Sequence, residues 1–436
     1  MKSIGNSKLQ EQLNLNQTQS KTKTKNLSPS EIKNYFKIII SDQHKRNFLY
    51  FALQFKPMKK IAAFISLGLI LFIVTSFVNS SKEERETPKD KSPKNIIILI
   101  GDGMGISQMS SAYYFQENEN QEPNFSRFPI VGLSRTSSAK EKITDSAAGA
   151  TAISCGKKSY NTAIAVDVDK KPIETILEFL GKKEFTTGLI STSSITHATP
   201  ASFFAHAKSR HMAKEIAAQM PESEVDFFAG GGLEYFLDKD EKIDIISHLK
   251  KNGFITNVEN LIAPEQLEKG NKYGFLLAKD AMPKMSKGRG DFLSDATDLA
   301  LNYFDMHDRP FFMMVEGSQI DWGGHANDAD YLIKETLDFD KMIGLVLDYA
   351  EKDGNTLVIV TADHETGGFT LAAKEKKIPF RGTQRDYKEI GPRFSTGGHS
   401  AAMVPVLAYG PGAEIFSGIY QNTEIHAKIM KLLKVQ

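Results

Sequence analysis

The chain has 436 residues, of which 41% are hydrophobic and 25% charged, and its formal net charge is +1. That size and balance suit a soluble globular protein with a large core, as two or three domains or one big α/β domain. A charge near zero without a long Lys/Arg run gives no ground for nucleic acid as a specific partner, and a single cysteine, Cys155, excludes an internal disulfide.

Residues 1–57 form an extension whose first half is rich in Lys, Asn, Gln, Ser and Thr, a composition unable to bury enough surface to fold. Met58-Lys59-Lys60 then opens an apolar stretch from Ile61 to Val78, closed by Asn79-Ser80-Ser81. A positive start, an apolar middle and a small polar exit read residues 58–80 as a secretory signal, which makes Met58 a candidate true start. The alternative is an uncleaved anchor, because the stretch is near the minimum that spans a bilayer. Both readings place the protein outside the cytoplasm: periplasmic or extracellular if released, membrane-anchored if not. Residues 81–93 are charged, contain Pro88 and Pro93, and read as a linker to a main domain at 94–436.

Asn95–Ile100 is a continuous apolar run of strand length, stopped by Gly101-Asp102-Gly103. Such runs suit strands buried on both faces, and they recur at Thr187–Ile190, Phe311–Val315, Thr356–Val360 and Val404–Ala408. Helical patterns lie between them at Ser146–Ser154, Ile173–Leu180, Ala213–Gln219, Lys242–Lys250, Phe292–Phe304, Ala329–Ala350 and Thr423–Leu433. The alternation predicts a doubly wound, mostly parallel α/β sheet flanked by helices, with peripheral insertions. Residues 226–290 read as a peripheral elaboration of the sheet, and 371–397 as a long surface loop or insert. Cys155, inside a helical pattern, reads as a buried inert thiol.

Chemistry-bearing residues collect where the apolar runs end, the edge at which α/β proteins bind ligands. Asp102 follows the first run; Glu316, Asp321 and His325 follow the run at 311–315; Asp363 and His364 follow the run at 356–360; His399 precedes the last run. Asp321 and His325 would share one face of a helix. One strand-end Asp is often only a helix cap; such placements at four runs of one sheet favour a multi-metal centre of carboxylates and imidazoles. Gly101-x-Gly103-x-Gly105 is not followed by Gly-Lys-Ser/Thr, so a nucleotide loop is a weak reading. In Thr144-Asp145-Ser146 followed by Ala-Ala-Gly-Ala-Thr-Ala, Ser146 is either a nucleophile at a phosphate-welcoming helix N-terminus or, with Asp145, part of the cap of a packing helix. On that segment alone both readings stand.

Taken together, Thr144-Asp145-Ser146-Ala147-Ala148, Gly101-Asp102-Gly103-Met104-Gly105, Thr361-Ala362-Asp363-His364-Glu365-Thr366-Gly367, Glu316 with Asp321 and His325, and Gly397-Gly398-His399 resemble, in order, the motifs of the alkaline phosphatase family. They span nearly the whole main domain. The resemblance implies hydrolysis of phosphate monoesters at alkaline pH through a phosphoserine on Ser146, with two zinc ions and a third, magnesium-type site. It assigns Asp321, His325 and His399 to the first zinc, Asp363, His364 and Asp102 to the second, and Asp102, Glu316 and Thr199 to the third site. It makes Arg210 the phosphate clamp, and a homodimer the assembly it suggests. His197 and Trp322 depart from the pattern, standing where some members have aspartate and lysine. His197 would change the electrostatics at the third site and, like Trp322, face the substrate's phosphate, Trp322 as a wall with an N–H donor. The alternatives are cleavage of phosphodiesters or sulfate esters on the same scaffold, and a tethered binding protein without activity.

Overall fold

The computed structural model describes residues 92–434, apart from 117, 119–120 and 238–243. The chain divides into two units, Met1–Arg85 and Glu86–Gln436, and every described residue belongs to the second. The extension at 1–57, the apolar segment at 58–80 and most of the linker at 81–93 thus lie outside the described residues. No helix among the described residues is long and apolar enough to cross a membrane.

The strands are β1 (Asn95–Gly101), β2 (Ile130–Arg135), β3 (Thr186–Ser194), β4 (Phe227–Gly231), β5 (Phe254–Asn257), β6 (Lys272–Ala278), β7 (Phe311–Gly317), β8 (Thr356–Thr361), β9 (Glu365–Thr366), β10 (Thr370–Ile378), β11 (Gly382–Arg393), β12 (His399–Ser400), β13 (Val404–Tyr409) and β14 (Gly418–Gln421). The helices are α1 (Ile106–Ser111), α2 (Ser146–Cys155), α3 (Ile176–Gly181), α4 (Ala198–Phe204), α5 (Ala213–Ala217), α6 (Leu233–Phe236), α7 (Ile245–Lys251), α8 (Phe292–Asp305), α9 (Gln319–His325), α10 (Ala329–Asp353) and α11 (Thr423–Leu433).

Ten strands form one sheet in the order β14-β2-β13-β8-β1-β7-β3-β4-β6-β5. Only β13 runs antiparallel to its neighbours, so the doubly wound, mostly parallel reading holds. Along β1, alternate side chains enter two cores. Ile97 and Leu99 pack with α8 and α10 on one face; Ile96, Ile98 and Ile100 pack with α2, α3, α4 and α11 on the other. Burial on both faces explains the unbroken apolar runs, each fully buried Ile or Val contributing roughly 1.5–3 kcal/mol.

The register aligns the site. Asn95 anchors the start of β1: its amide donates to Thr356 Oγ1 at 3.3 Å and its carbonyl accepts from Phe311 N–H at 3.3 Å. At the far end Ile100 lies beside both Glu316 and Thr361, and Glu316 beside Ser191. The chain therefore leaves β1, β7 and β8 at one level, with β3 running on beside them to Ser194.

Residues 226–290 do elaborate the sheet at its periphery: they supply β4, β6 and β5, which extend one edge of the main sheet. One expectation needs correction. Residues 371–397 are not a loop; β10 and β11 pair there as a mostly exposed antiparallel hairpin. With no face buried, the hairpin carries no alternation to read.

Candidate metal centre

Asp102 leaves the end of β1 fully buried. Gly103 follows at φ +73°, and a Cβ there would lie 2.7 Å from the Asp321 Cα and 2.8 Å from Thr366 Oγ1. Glycine meets both demands, the left-handed turn and the close approach.

Three groups of donors meet at this end of the sheet. Asp321, His325 and His399 form the first. Asp321 and His325 lie one turn apart on α9, with His325 Nε2 3.4 Å from Asp321 Oδ2 and 3.1 Å from His399 Nε2. His399 arrives on β12, which pairs with β9 so that His399 lies opposite Thr366. The outer ring nitrogens are held by backbone carbonyls: His325 Nδ1 by Gly397 O at 2.8 Å, His399 Nδ1 by Thr144 O at 2.9 Å. A carbonyl only accepts, so Nδ1 carries the proton and Nε2 keeps a lone pair facing inward, as a metal-ligating imidazole requires.

Asp102, Asp363 and His364 form the second group, all fully buried. Asp363 Oδ1 accepts from the N–H groups of Gly103 at 3.2 Å and His364 at 3.0 Å, leaving Oδ2 free to face the group. Asp102, His197 and Glu316 form the third. Ser191 Oγ donates to Glu316 Oε2 at 2.6 Å. Thr199 stands beside Glu316 and helps hold its pKa down, although no hydrogen bond of ordinary geometry joins them.

Ser146 opens α2 between these groups. Asp145 is the N-cap, accepting from Ala148 N–H at 3.0 Å. The cap reading thus belongs to Asp145, and the Ser146 hydroxyl remains available, 3.2 Å from His364 Nε2. The small residues of α2 have a local cause: a Cβ on Gly149 would sit 3.0 Å from the Asp363 Cβ and carbonyl. Arg210 is held from two sides, Nη1 donating to Asp145 Oδ2 at 3.3 Å and Nη2 to His197 Nε2 at 3.0 Å. Trp322 meets the His197 ring edge-on, centroids 6.0 Å apart.

All twelve residues singled out in the sequence thus converge on one end of the sheet. His197 is grouped with Asp102 and Glu316, and its Nε2 accepts from Arg210.

The electrostatics call for cations. Burial, reinforced by Asp363, Asp321 and Glu316, raises the pKa of Asp102 well above the carboxylate range. Burial raises Asp363 as well, and pushes Glu316 up to about 7 against hydrogen bonds from Ser191 and Ser318. Burial and the neighbouring His399 push His364 down to about 3, so its approaches to Asp102 and Asp363 are not ion pairs. Both oxygens of Asp102, Glu316 Oε1, Asp363 Oδ2 and Thr199 Oγ1 are buried without hydrogen-bond partners. Buried carboxylate oxygens left without partners and facing imidazole nitrogens fit metal ions, which supply the missing positive charge and ligate the free lone pairs.

A ring of supporting residues carried no signal of its own. Gln108 Nε2 donates to Glu365 Oε1 at 2.6 Å and to Thr366 O at 2.8 Å, and Ser400 donates to the other oxygen of Glu365. Glu365 thereby ties α1 and the strand bearing His399 to the segment bearing Asp363 and His364. Its partners lie far away in sequence, so no spacing reveals them.

A doubly wound sheet that gathers carboxylates and imidazoles at its strand ends frames a metal-dependent enzyme. The family model described as alkaline phosphatase matches residues 93–391. Alkaline phosphatase 3 of Bacillus subtilis is 32% identical over 455 residues, covering 87% of this chain and 97% of that protein. The structure of alkaline phosphatase from the Antarctic bacterium TAB5 superposes with a TM-score of 0.76 at 56% identity, covering 79% of this chain and 99% of that one. A histidine-to-aspartate mutant of the TAB5 enzyme, whose structure has Mg bound in its M3 site, gives 0.77 at the same identity and coverage. The chain belongs to the alkaline phosphatase family. It is an enzyme, a phosphoric monoester hydrolase with a metal-binding centre.

Proposed function

We propose that the chain hydrolyses phosphate monoesters at alkaline pH through a covalent phosphoserine on Ser146, with two zinc ions and one magnesium ion in the three donor groups. The observation that carries this is the place of Ser146 Oγ, 3.2 Å from His364 Nε2 and at the start of a helix whose cap is another residue. Asp321, His325 and His399 would hold the first zinc; Asp102, Asp363 and His364 the second. Asp102, Glu316 and Thr199 offer the all-oxygen set that magnesium prefers. Bound zinc would supply Lewis acidity, neutralising charge on the attacking and leaving oxygens.

The chain's own groups do the rest. The Ser146 Oγ–P bond forms as the ester P–O bond breaks and the alcohol departs; water's oxygen then replaces Ser146 on phosphorus, and the serine recovers its proton. Arg210, turned toward the substrate, offers two parallel N–H donors to the phosphoryl oxygens, a geometry a lysine cannot copy. His197 and Trp322 wall the phosphate pocket beside it. The alcohol needs few contacts, so many small monoesters serve as substrates. Export from the cytoplasm, by cleavage of residues 58–80 or with them as an anchor, and assembly as a homodimer complete the proposal.

Metal counting and a paired assay test it. The proposal expects at least two zinc ions per chain and much faster turnover of p-nitrophenyl phosphate than of bis-p-nitrophenyl phosphate. Fewer than two tight metals, or faster diester cleavage, would overturn it.

A further inference from the structure

Thr366 belongs to none of the three donor groups, yet its hydroxyl touches two of them. Thr366 Oγ1 lies 2.5 Å from Asp321 Oδ1, in the first group, and 3.2 Å from His364 Nδ1, in the second. A carboxylate oxygen only accepts while the ring nitrogen of a neutral histidine can donate, so one assignment satisfies all three groups. The single hydroxyl proton goes to Asp321, and the hydroxyl oxygen accepts from His364 Nδ1–H. His364 is then left with its lone pair on Nε2, the atom that faces Ser146 Oγ at 3.2 Å.

The backbone around Thr366 is fixed to match. Its N–H donates to Gly103 O at 3.1 Å, its carbonyl accepts from Gln108 at 2.8 Å, and it lies opposite His399 across β9 and β12. Two glycines make room for it: a Cβ on Gly103 would lie 2.8 Å from Thr366 Oγ1, and one on Gly324 would lie 2.9 Å from its Cγ2 and carbonyl oxygen. The side chain is fully buried and meets no solvent.

We infer that Thr366 is a positioning residue shared by the two zinc sites: one hydroxyl orients a carboxylate ligand of the first and sets the ring tautomer of an imidazole ligand of the second. The inference rests on the zinc reading of those groups given above. Its consequence is that loss of the hydroxyl weakens both sites together.

Metal-free wild type, Thr366→Ser and Thr366→Val are titrated with zinc alone by calorimetry against a competing chelator, and the thermal midpoint of each metal-free form is recorded. Thr366→Val keeps the shape and loses the hydroxyl; Thr366→Ser keeps the hydroxyl and loses a methyl. The expected result is a fall in affinity at both zinc sites of about 10–100-fold in the valine variant, with the serine variant close to wild type. A packing role alone gives the reverse order. Should the valine variant not fold, Thr366→Ala against Thr366→Ser, which differ only in the hydroxyl, carries the same comparison. Wild-type zinc affinity in the hydroxyl-free variant, or weakening at one site only, overturns the inference. A wild type that binds fewer than two zinc ions overturns the zinc reading beneath it, and the inference with it.

Discussion

Arg210 Nη2 donates to His197 Nε2 across 3.0 Å. A guanidinium has donors only, so His197 accepts at Nε2 and carries its proton on Nδ1. Burial and the adjacent Arg210 keep the ring neutral, its pKa pushed down to about 3. An Nδ1–H cannot ligate a cation. While this bond stands, His197 gives the third site no lone pair, although its ring is grouped with Asp102 and Glu316.

Replacing that ring with a carboxylate should therefore strengthen the third site. His197→Asp adds an oxygen donor of the kind magnesium prefers, and a rise in magnesium affinity of about tenfold or more is expected by equilibrium dialysis. An unchanged affinity would show that the position does not face the third site.

Arg210→Lys tests the clamp. The charge survives but the planar two-pronged donor does not. Inorganic phosphate should inhibit about tenfold less strongly, and kcat/KM should fall by roughly 10–100-fold, with zinc content unchanged. An inhibition constant for phosphate equal to that of wild type would remove Arg210 from the role.

Gly103→Ala tests how closely the chain must approach at the end of β1. At φ +73° an added Cβ is strained, and it would meet Asp321 Cα at 2.7 Å. A loss of about 1–3 kcal/mol of stability is expected, together with loss of zinc from the first site. Thermal denaturation and metal analysis measure both, and wild-type values in the two would contradict the account.

Stability should also depend on pH through a pair remote from the metals. His206 Nε2 lies 2.9 Å from Glu178 Oε1, and His206 Nδ1 lies 2.8 Å from Ala165 O. Burial works to lower the His206 pKa, but its bonds to Glu178 and Ala165 outweigh it and the net shift is upward. For Glu178 burial works upward, and bonds from His206 and Thr175 carry the net shift downward. A raised histidine contributes stability below its ordinary value of 6.5 and loses it as pH rises through the folded value; a lowered glutamate contributes above its ordinary 4.5 and loses it as pH falls through the folded value. The pair is therefore strongest between about pH 4.5 and 6.5. Wild type should exceed Glu178→Gln by about 1 kcal/mol near pH 6, with the gap closing toward pH 9. A gap that widens with pH would contradict the assignment.

The parts of the molecule legible in the sequence are those where one physical demand dominates. β1, β7 and β8 are buried on both faces, so nothing interrupts their apolar runs. The candidate metal ligands are legible because the runs of β1, β7 and β8 end in or are soon followed by carboxylates and imidazoles. β3 was readable only at its start: Ser191, Thr192, Ser193 and Ser194 look like a loop, yet they continue the strand, and Ser191 and Ser193 hydroxyls bond to Glu316. Helix α4 hid behind Pro200 and a fully buried surface with no polar face. Gln108 acts through Glu365 and Thr366, and Thr366 through Asp321, partners distant in sequence, so no local pattern marks what they hold.

The central claim is that Ser146 carries the phosphoryl group. The most direct measurement is an acid quench of the zinc-loaded enzyme during turnover of p-nitrophenyl phosphate, followed by peptide mass spectrometry. The account predicts one added phosphoryl group on Ser146, absent from Ser146→Ala, whose turnover collapses. An unmodified Ser146 together with full turnover in Ser146→Ala would contradict it.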